Sequence, residues 1–262
     1  MANLLERVLI KILKLLKADL LAHAHVQIGV GHNTYVSGEE FIINDVIRKV
    51  LKRDPKTIFD VGANVGAYAR QLSTAFPAAK IYCFEPIPQN YRQLLENTKG
   101  LNTVNILSAV GSNEGTLKLY MGENNADGAM ATAYQDSLET FFPFVGEVNR
   151  IYETPMTTLD IFFDDKIEII DFLKIDVEGH ELEVLKGAQK LINDNRINII
   201  QFEFGEYNVF SKSFIFDFYQ ILNFYTFYRV MPQYKILPMG NYSPSLEIFK
   251  YQNILAVKKT LE

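Results

Sequence analysis

Residues 57–67 read Thr57-Ile58-Phe59-Asp60-Val61-Gly62-Ala63-Asn64-Val65-Gly66-Ala67. A short apolar run closes on a carboxylate, two glycines follow, and an amphipathic stretch from Ala67 to Phe76 opens at once. That order predicts strand, tight turn and helix. Glycine lets the backbone turn sharply and pass close to a ligand, and the helix N-terminus faces the same space.

Outward from this unit the pattern repeats. Apolar runs at Lys80 to Glu85, Val104 to Val110, Phe172 to Asp176 and Ile197 to Phe204 predict strands, with helices at Pro88 to Lys99 and His180 to Ile192. Such alternation implies right-handed crossovers and a mostly parallel sheet. Upstream, Phe41, Ile42, Val46, Ile47, Val50 and Leu51 follow helical spacing until Pro55 ends the segment. Downstream, Phe224 to Met231 and Ile248 to Val257 predict an antiparallel pair at the sheet edge. Gly111 to Thr158 breaks the alternation, and its scattered glycines, prolines and aromatics predict a loop-rich insertion facing substrate.

The chain has 262 residues, 48% hydrophobic and 22% charged, which suits one main domain at 41–262 behind an N-terminal extension at 1–40. A net charge of -5 lacks the basic stripe that neutralises phosphates, so a small soluble substrate is expected and nucleic acid is not. The single cysteine, Cys83, sits in an apolar run and allows no disulfide framework, which predicts a reducing, cytoplasmic setting. In the extension, Leu5, Val8, Leu9, Ile12, Leu13, Leu16 and Leu20 share a helical face, while Arg7, Lys11, Lys14 and Lys17 interrupt any spanning core. This amphipathic helix is expected to pack on the domain or on a second copy of the chain rather than on a membrane. His23, His25 and His32 fall in a polar stretch with no fourth ligand at a metal-binding spacing.

The turn carries Gly62, Asn64 and Gly66 in a G-x-x-x-G spacing, without the third glycine of the dinucleotide fingerprint or the lysine of a P-loop. Asp60, just before it, would repel a pyrophosphate and attract the ammonium of an amino-acid ligand, which favours S-adenosylmethionine over NAD. Glu85 ends the next strand, 25 residues on, where a carboxylate can accept hydrogen bonds from two ribose hydroxyls. Ser108, near the end of the third strand, falls on the adenine side of the same crevice, or simply satisfies backbone groups there.

Leu173-Lys174-Ile175-Asp176-Val177-Glu178-Gly179-His180-Glu181 gathers ionisable side chains at one strand end. Methyl transfer to an alcohol needs an aligned oxygen and a base for its proton. His180, at a helix N-terminus, would stay neutral and able to accept that proton, with a capping role as the alternative. Asp176 would orient the hydroxyl or contact the methionine part of the cofactor, with Glu178 beside it. Asp176 together with Glu178 or Glu203 could also hold magnesium, although a metal-free site is the expectation.

These motifs, with Phe84-Glu85-Pro86, Ser108-Ala109-Val110-Gly111 and Thr158-Leu159-Asp160 in the same order, resemble the FkbM family of class I methyltransferases. The resemblance implies a doubly wound α/β fold with a mostly parallel, seven-stranded sheet whose last strand is reversed. It also implies S-adenosylmethionine held by Asp60 to Gly66 and Glu85, and methylation of a hydroxyl oxygen. Among the acceptors implied, a sugar hydroxyl is favoured, carried on a nucleotide-activated sugar for a surface polysaccharide. Three other readings keep the same sheet. An NAD-dependent sugar oxidoreductase or epimerase is opposed by the missing glycine and by Asp60. A nucleic-acid methyltransferase is opposed by Asp176-Val177-Glu178-Gly179, where an Asn/Asp-Pro-Pro-aromatic run would stand. A non-catalytic cofactor-binding interaction module is excluded by no feature of the sequence.

Overall fold

The computed structural model describes residues 8, 10–12, 20–31, 38–124, 130–141, 144, 146–163, 168–231 and 235–261. Their strands are β1 (Thr57–Val61), β2 (Lys80–Phe84), β3 (Thr103–Ile106), β4 (Ala109–Val110), β5 (Gly115–Gly122) and β6 (Val148–Thr157), followed by β7 (Ile170–Ile175), β8 (Ile197–Phe204), β9 (Tyr225–Met231), β10 (Lys235–Pro238) and β11 (Gln252–Lys258). The main sheet runs β10-β9-β11-β8-β7-β1-β2-β3. From β3 to β8 every pairing is parallel, and β11 runs antiparallel to both β8 and β9.

Helices cover both faces, because these strands are apolar on both sides and each face needs a partner layer. On one face Phe59, Leu173, Ile175 and Phe202 pack with Leu185, Leu191 and Phe218. On the other, Ile58, Ile81, Phe172 and Ile199 pack with Ile42, Ile47, Ala69 and Leu72. The helix Ala67–Ala75 follows the β1 turn, and Pro88 starts the helix Pro88–Asn97 at a position where its missing N–H costs no hydrogen bond. Glu39–Phe41, a π turn at Ile42–Val46 and Ile47–Leu51 follow one another as a continuous helical stretch.

Five expectations need correction. The main sheet has eight strands rather than seven, since β10 adds a hairpin strand outside β9. The C-terminal pair is not an edge: β11 begins at Gln252, not Ile248, and lies between β8 and β9 with every residue buried. Its core, Ile254-Leu255-Ala256-Val257, is apolar without alternation, as a strand covered on both faces must be. The stretch from Gly111 to Thr158 is not mainly loop. It holds β5 and β6, which pair antiparallel and with β4 form a second, three-stranded sheet. Leu117, Leu119 and Met121 alternate there with Lys118 and Tyr120, the period of a strand with one covered face. The single strand predicted over Val104 to Val110 divides between the two sheets at Leu107 and Ser108. Finally, His180 to Ile192 forms two helices, Glu181–Lys186 and Gln189–Asn193. They part at Gly187, where a Cβ would lie 1.9 Å from the Gly111 carbonyl oxygen.

The predicted N-terminal amphipathic helix lies outside the described residues apart from residues 8, 10–12 and 20. Leu20–Gln27 is helical, so His23 and His25 are on a helix rather than in a loop, and His32 lies outside the described residues. No helix of the described residues is long and apolar enough to cross a membrane.

Candidate active site

The carboxyl ends of β1, β2 and β7 face the second sheet across a cleft of about 660 Å³. Open parallel sheets bind ligands at this end, because the loops there diverge and leave a crevice. Of the residues predicted for the site, Gly62, Asn64, Glu85, Ser108, Asp176, Glu178 and His180 line the cleft, and Asp60 and Gly66 do not. Ile87, Val110, Leu117 and Leu119 add an apolar wall, two of them from β5.

The β1 turn is shaped by close approach. Gly62 has φ +84°, and a Cβ there would lie 1.8 Å from the Asp176 carbonyl oxygen, so the loop seats directly on the end of β7. Gly62 and Ala63 donate their N–H groups to the Phe84 carbonyl at 3.0 and 2.9 Å. The Asn64 N–H then donates to Glu85 Oε2 and the Ile87 N–H to Glu85 Oε1, both at 2.8 Å. Glu85 is thus held at both oxygens, each of which keeps a lone pair for a ligand hydroxyl. Burial pushes its carboxyl up to about 7, ahead of the two N–H donors that lower it. Gly66 caps the following helix and packs against Leu94 and Thr98, which gives it a structural place rather than a lining one.

Asp60 is fully buried and is not among the residues that line the cleft, and neither of its carboxylate oxygens makes a hydrogen bond among the described residues. Register explains where it goes. Cys83, Asp60, Lys174 and Gln201 stand opposite one another across β2, β1, β7 and β8, and side chains opposite in register share a face. Lys174 Nζ lies 3.7 Å from Asp60 Oδ1 and 3.0 Å from Asp176 Oδ2, and 5.0 Å from the Tyr68 ring centre. It therefore joins a hidden carboxylate to one in the cleft wall. Burial opposes the Lys174 charge, but Asp176, Asp60 and Glu39 outweigh it and hold its pKa well above the ordinary value. Asp60 is pushed up, chiefly by burial. Lys174 was visible as a lone cation inside an apolar strand, yet it received no role in the sequence reading.

His180 precedes the helix Glu181–Lys186 and holds its ring Nδ1 3.1 Å from the Tyr134 hydroxyl. Its Nε2 is buried, near Gly111, and makes no hydrogen bond among the described residues. Burial lowers the His180 pKa, so the ring is neutral through desolvation rather than through the short helix that follows. Glu178 takes φ +52°, and its carbonyl accepts the Thr132 hydroxyl at 2.7 Å. Its carboxyl is pushed well up, first by burial and then by Asp176 and Glu181. Ser108 donates its hydroxyl to the carbonyls of Ala109 and Pro155, at 2.8 and 3.0 Å, which pins the crossing between the sheets. Sequence reasoning missed Tyr134 and Thr132, each 46 residues from its partner with no motif of its own, and the lining residues Asn90, Leu117 and Leu119. Among the described residues, no group of three or more His, Cys, Asp or Glu side chains could hold a metal ion.

Glu85, Asp176 and Glu178 line the cleft, with no lysine or arginine among the described residues that line it. A dinucleotide pyrophosphate would meet carboxyl groups there and no cation in the lining itself, whereas a cationic ligand would be attracted. Residues 60–229, which span every element around the cleft, match the methyltransferase FkbM domain. The chain belongs to that family. Among curated relatives, it is 27% identical over 165 residues to the hexuronic acid methyltransferase AglP of Haloferax volcanii, covering 62% of each chain. It is 24% identical over 157 residues to the 2-O-methyltransferase NoeI of Sinorhizobium fredii, covering 57% of this chain and 64% of that one. The methyltransferase sdnD of Sordaria araneosa is 30% identical over 167 residues, 51% of this chain and 60% of its own. The matches span about three fifths of the length of these relatives. A solved FkbM methyltransferase from Methylobacillus flagellatus KT superposes with a TM-score of 0.49 at 16% identity, over 87% of this chain and 48% of that one. The fold assignment rests on the strand order of this chain itself.

Proposed function

We propose that this FkbM-family chain is an S-adenosylmethionine-dependent O-methyltransferase acting on a carbohydrate hydroxyl in the cytoplasm. The observation that carries the cofactor is the lining of the cleft, with Glu85, Asp176 and Glu178 present and no lysine or arginine among its described residues. The residues fit that cofactor. Glu85 suits the ribose hydroxyls, the Cβ-free Gly62 lets backbone approach, Ile87, Val110, Leu117 and Leu119 suit the adenine, and Asp176 and Glu178 suit the cationic end. Bound there, the sulfonium supplies an electrophilic methyl group. His180 takes the proton of the acceptor hydroxyl at Nε2, while Asp176 and Glu178 orient that hydroxyl. The carbohydrate draws its support from the relative named for a hexuronic acid, of which the sugar ring and not the charge is carried over, and the oxygen from the relative named for 2-O-methylation.

Thermal unfolding tests the assignment. S-adenosylhomocysteine at a hundredfold excess over its dissociation constant is expected to stabilise the protein by about 2.7 kcal/mol. Glu85→Ala is expected to abolish most of that shift. Stabilisation by NAD with no response to S-adenosylhomocysteine overturns the reading.

A further inference from the structure

Beside the cofactor cleft lies a second one of about 700 Å³, and the two meet at Glu178. Four carboxylates line it, Glu178, Glu181, Glu203 and Glu206, together with Tyr207 and Tyr251, and no lysine or arginine does among the described residues. Glu181 is 1% exposed; its Oε1 accepts the Val177 and Gly179 N–H groups, while its Oε2 makes no hydrogen bond among the described residues. A buried carboxylate oxygen without a donor carries a desolvation cost that a ligand donor would remove. Glu203 is the residue of β8 opposite Asn253, beside a Tyr251 hydroxyl that hydrogen-bonds it, and Glu206 accepts the Tyr251 N–H at 3.1 Å. Backbone N–H groups thus hold Glu181 and Glu206 in place, and Glu181 Oε2 is left to accept from whatever enters.

We propose that this second cleft seats the acceptor and admits only a donor-rich group without negative charge, a neutral polyol or an ammonium-bearing sugar. The inference rests on the O-methyltransferase reading and narrows its substrate class. An anionic acceptor would bring further negative charge beside carboxyls whose ionisation burial already disfavours, whereas hydroxyl or ammonium hydrogens would satisfy the unpartnered Glu181 Oε2. Burial, which leads the causes, already pushes the Glu178 and Glu203 carboxyls well up and Glu181 to about 7, a strain that an incoming donor relieves and an incoming anion deepens.

The test uses three probes that share a ring and differ in charge: glucose, glucosamine and glucuronate. Each is titrated against the full chain loaded with S-adenosylhomocysteine, with the unfolding midpoint as readout. Glucose and glucosamine are expected to stabilise the protein at about tenfold lower concentration than glucuronate. Comparison of those two separates the neutral source from the ammonium one. In Glu206→Gln, checked for folding by its retained response to S-adenosylhomocysteine, the gap to glucuronate is expected to narrow. Equal responses, a preference for glucuronate, or no response to any of the three overturns the proposal. Loss of the S-adenosylhomocysteine response itself counts against the cofactor reading instead.

Discussion

A neutral imidazole hydrogen-bonded at one nitrogen and unpartnered at the other can take a proton at the second, and His180 has that form, with Tyr134 on Nδ1 and a buried Nε2 that makes no hydrogen bond among the described residues. His180→Ala is expected to lower kcat by about 100-fold or more while the S-adenosylhomocysteine response is kept. Wild-type turnover in that variant removes His180 as the base. Because burial lowers its pKa, the acidic limb of the rate profile should fall below pH 6.5. Glu181 titrates in the opposite sense. Its carboxyl rises from 4.5 to about 7 on folding, so between those values the folded state binds more protons and stability falls as pH rises. At most roughly 3 kcal/mol is at stake. Denaturant unfolding at pH 5 and pH 8 should show a smaller decline in Glu181→Gln than in the wild type, and an equal decline contradicts the assignment. At this scale the strand-end residues Glu85, Asp176 and Glu178, legible in the sequence, line the cleft, while Asp60 is buried beneath it. A carboxylate at a strand end faces the ligand or the sheet interior according to which cross-strand neighbour claims it, and Lys174 does so here.

The first residues of β7 are tied to the segment that leads into β1. Asp171, 1% exposed, accepts from Arg53 at 3.0 and 2.6 Å, from the Lys56 N–H at 2.7 Å and from Asn198 at 3.0 Å. Although burial opposes it, this set holds the Asp171 carboxyl below its ordinary value. Asp171→Ala is expected to cost about 2 kcal/mol in chemical denaturation at pH 7, because buried Asn198, the Lys56 N–H and the half-exposed Arg53 lose their acceptor together. The wild type should lose the same contribution as pH falls through 3.8 and below, so the two proteins converge in acid. A constant difference down to pH 2 refutes the pairing. The elements were legible where periodicity was clear, as in β1, β2, β7 and β8. The second sheet was also written in the alternation of Leu117, Leu119 and Met121, but the glycines and prolines around it read as loop.

For the whole molecule, net charge decides partners before shape does. With -5 overall and carboxylates concentrated at the carboxyl ends of the strands, neither single-stranded nor duplex nucleic acid should be retained in a gel-shift assay at 0.15 M salt. A salt-dependent shift would reopen the nucleic-acid reading. The sequence by itself determined the strand-helix alternation, the turn at Gly62, the carboxylate Glu85 and the family, since each is carried by residues near one another in the chain. The tertiary structure alone decided that β11 lies inside the sheet, that β5 and β6 wall the cleft, that Asp60 pairs with Lys174 and that Tyr134 holds His180. Periodicity records how each residue is buried and not what buries it. Partners far apart along the chain are chosen by register and packing once the sheet has closed around them.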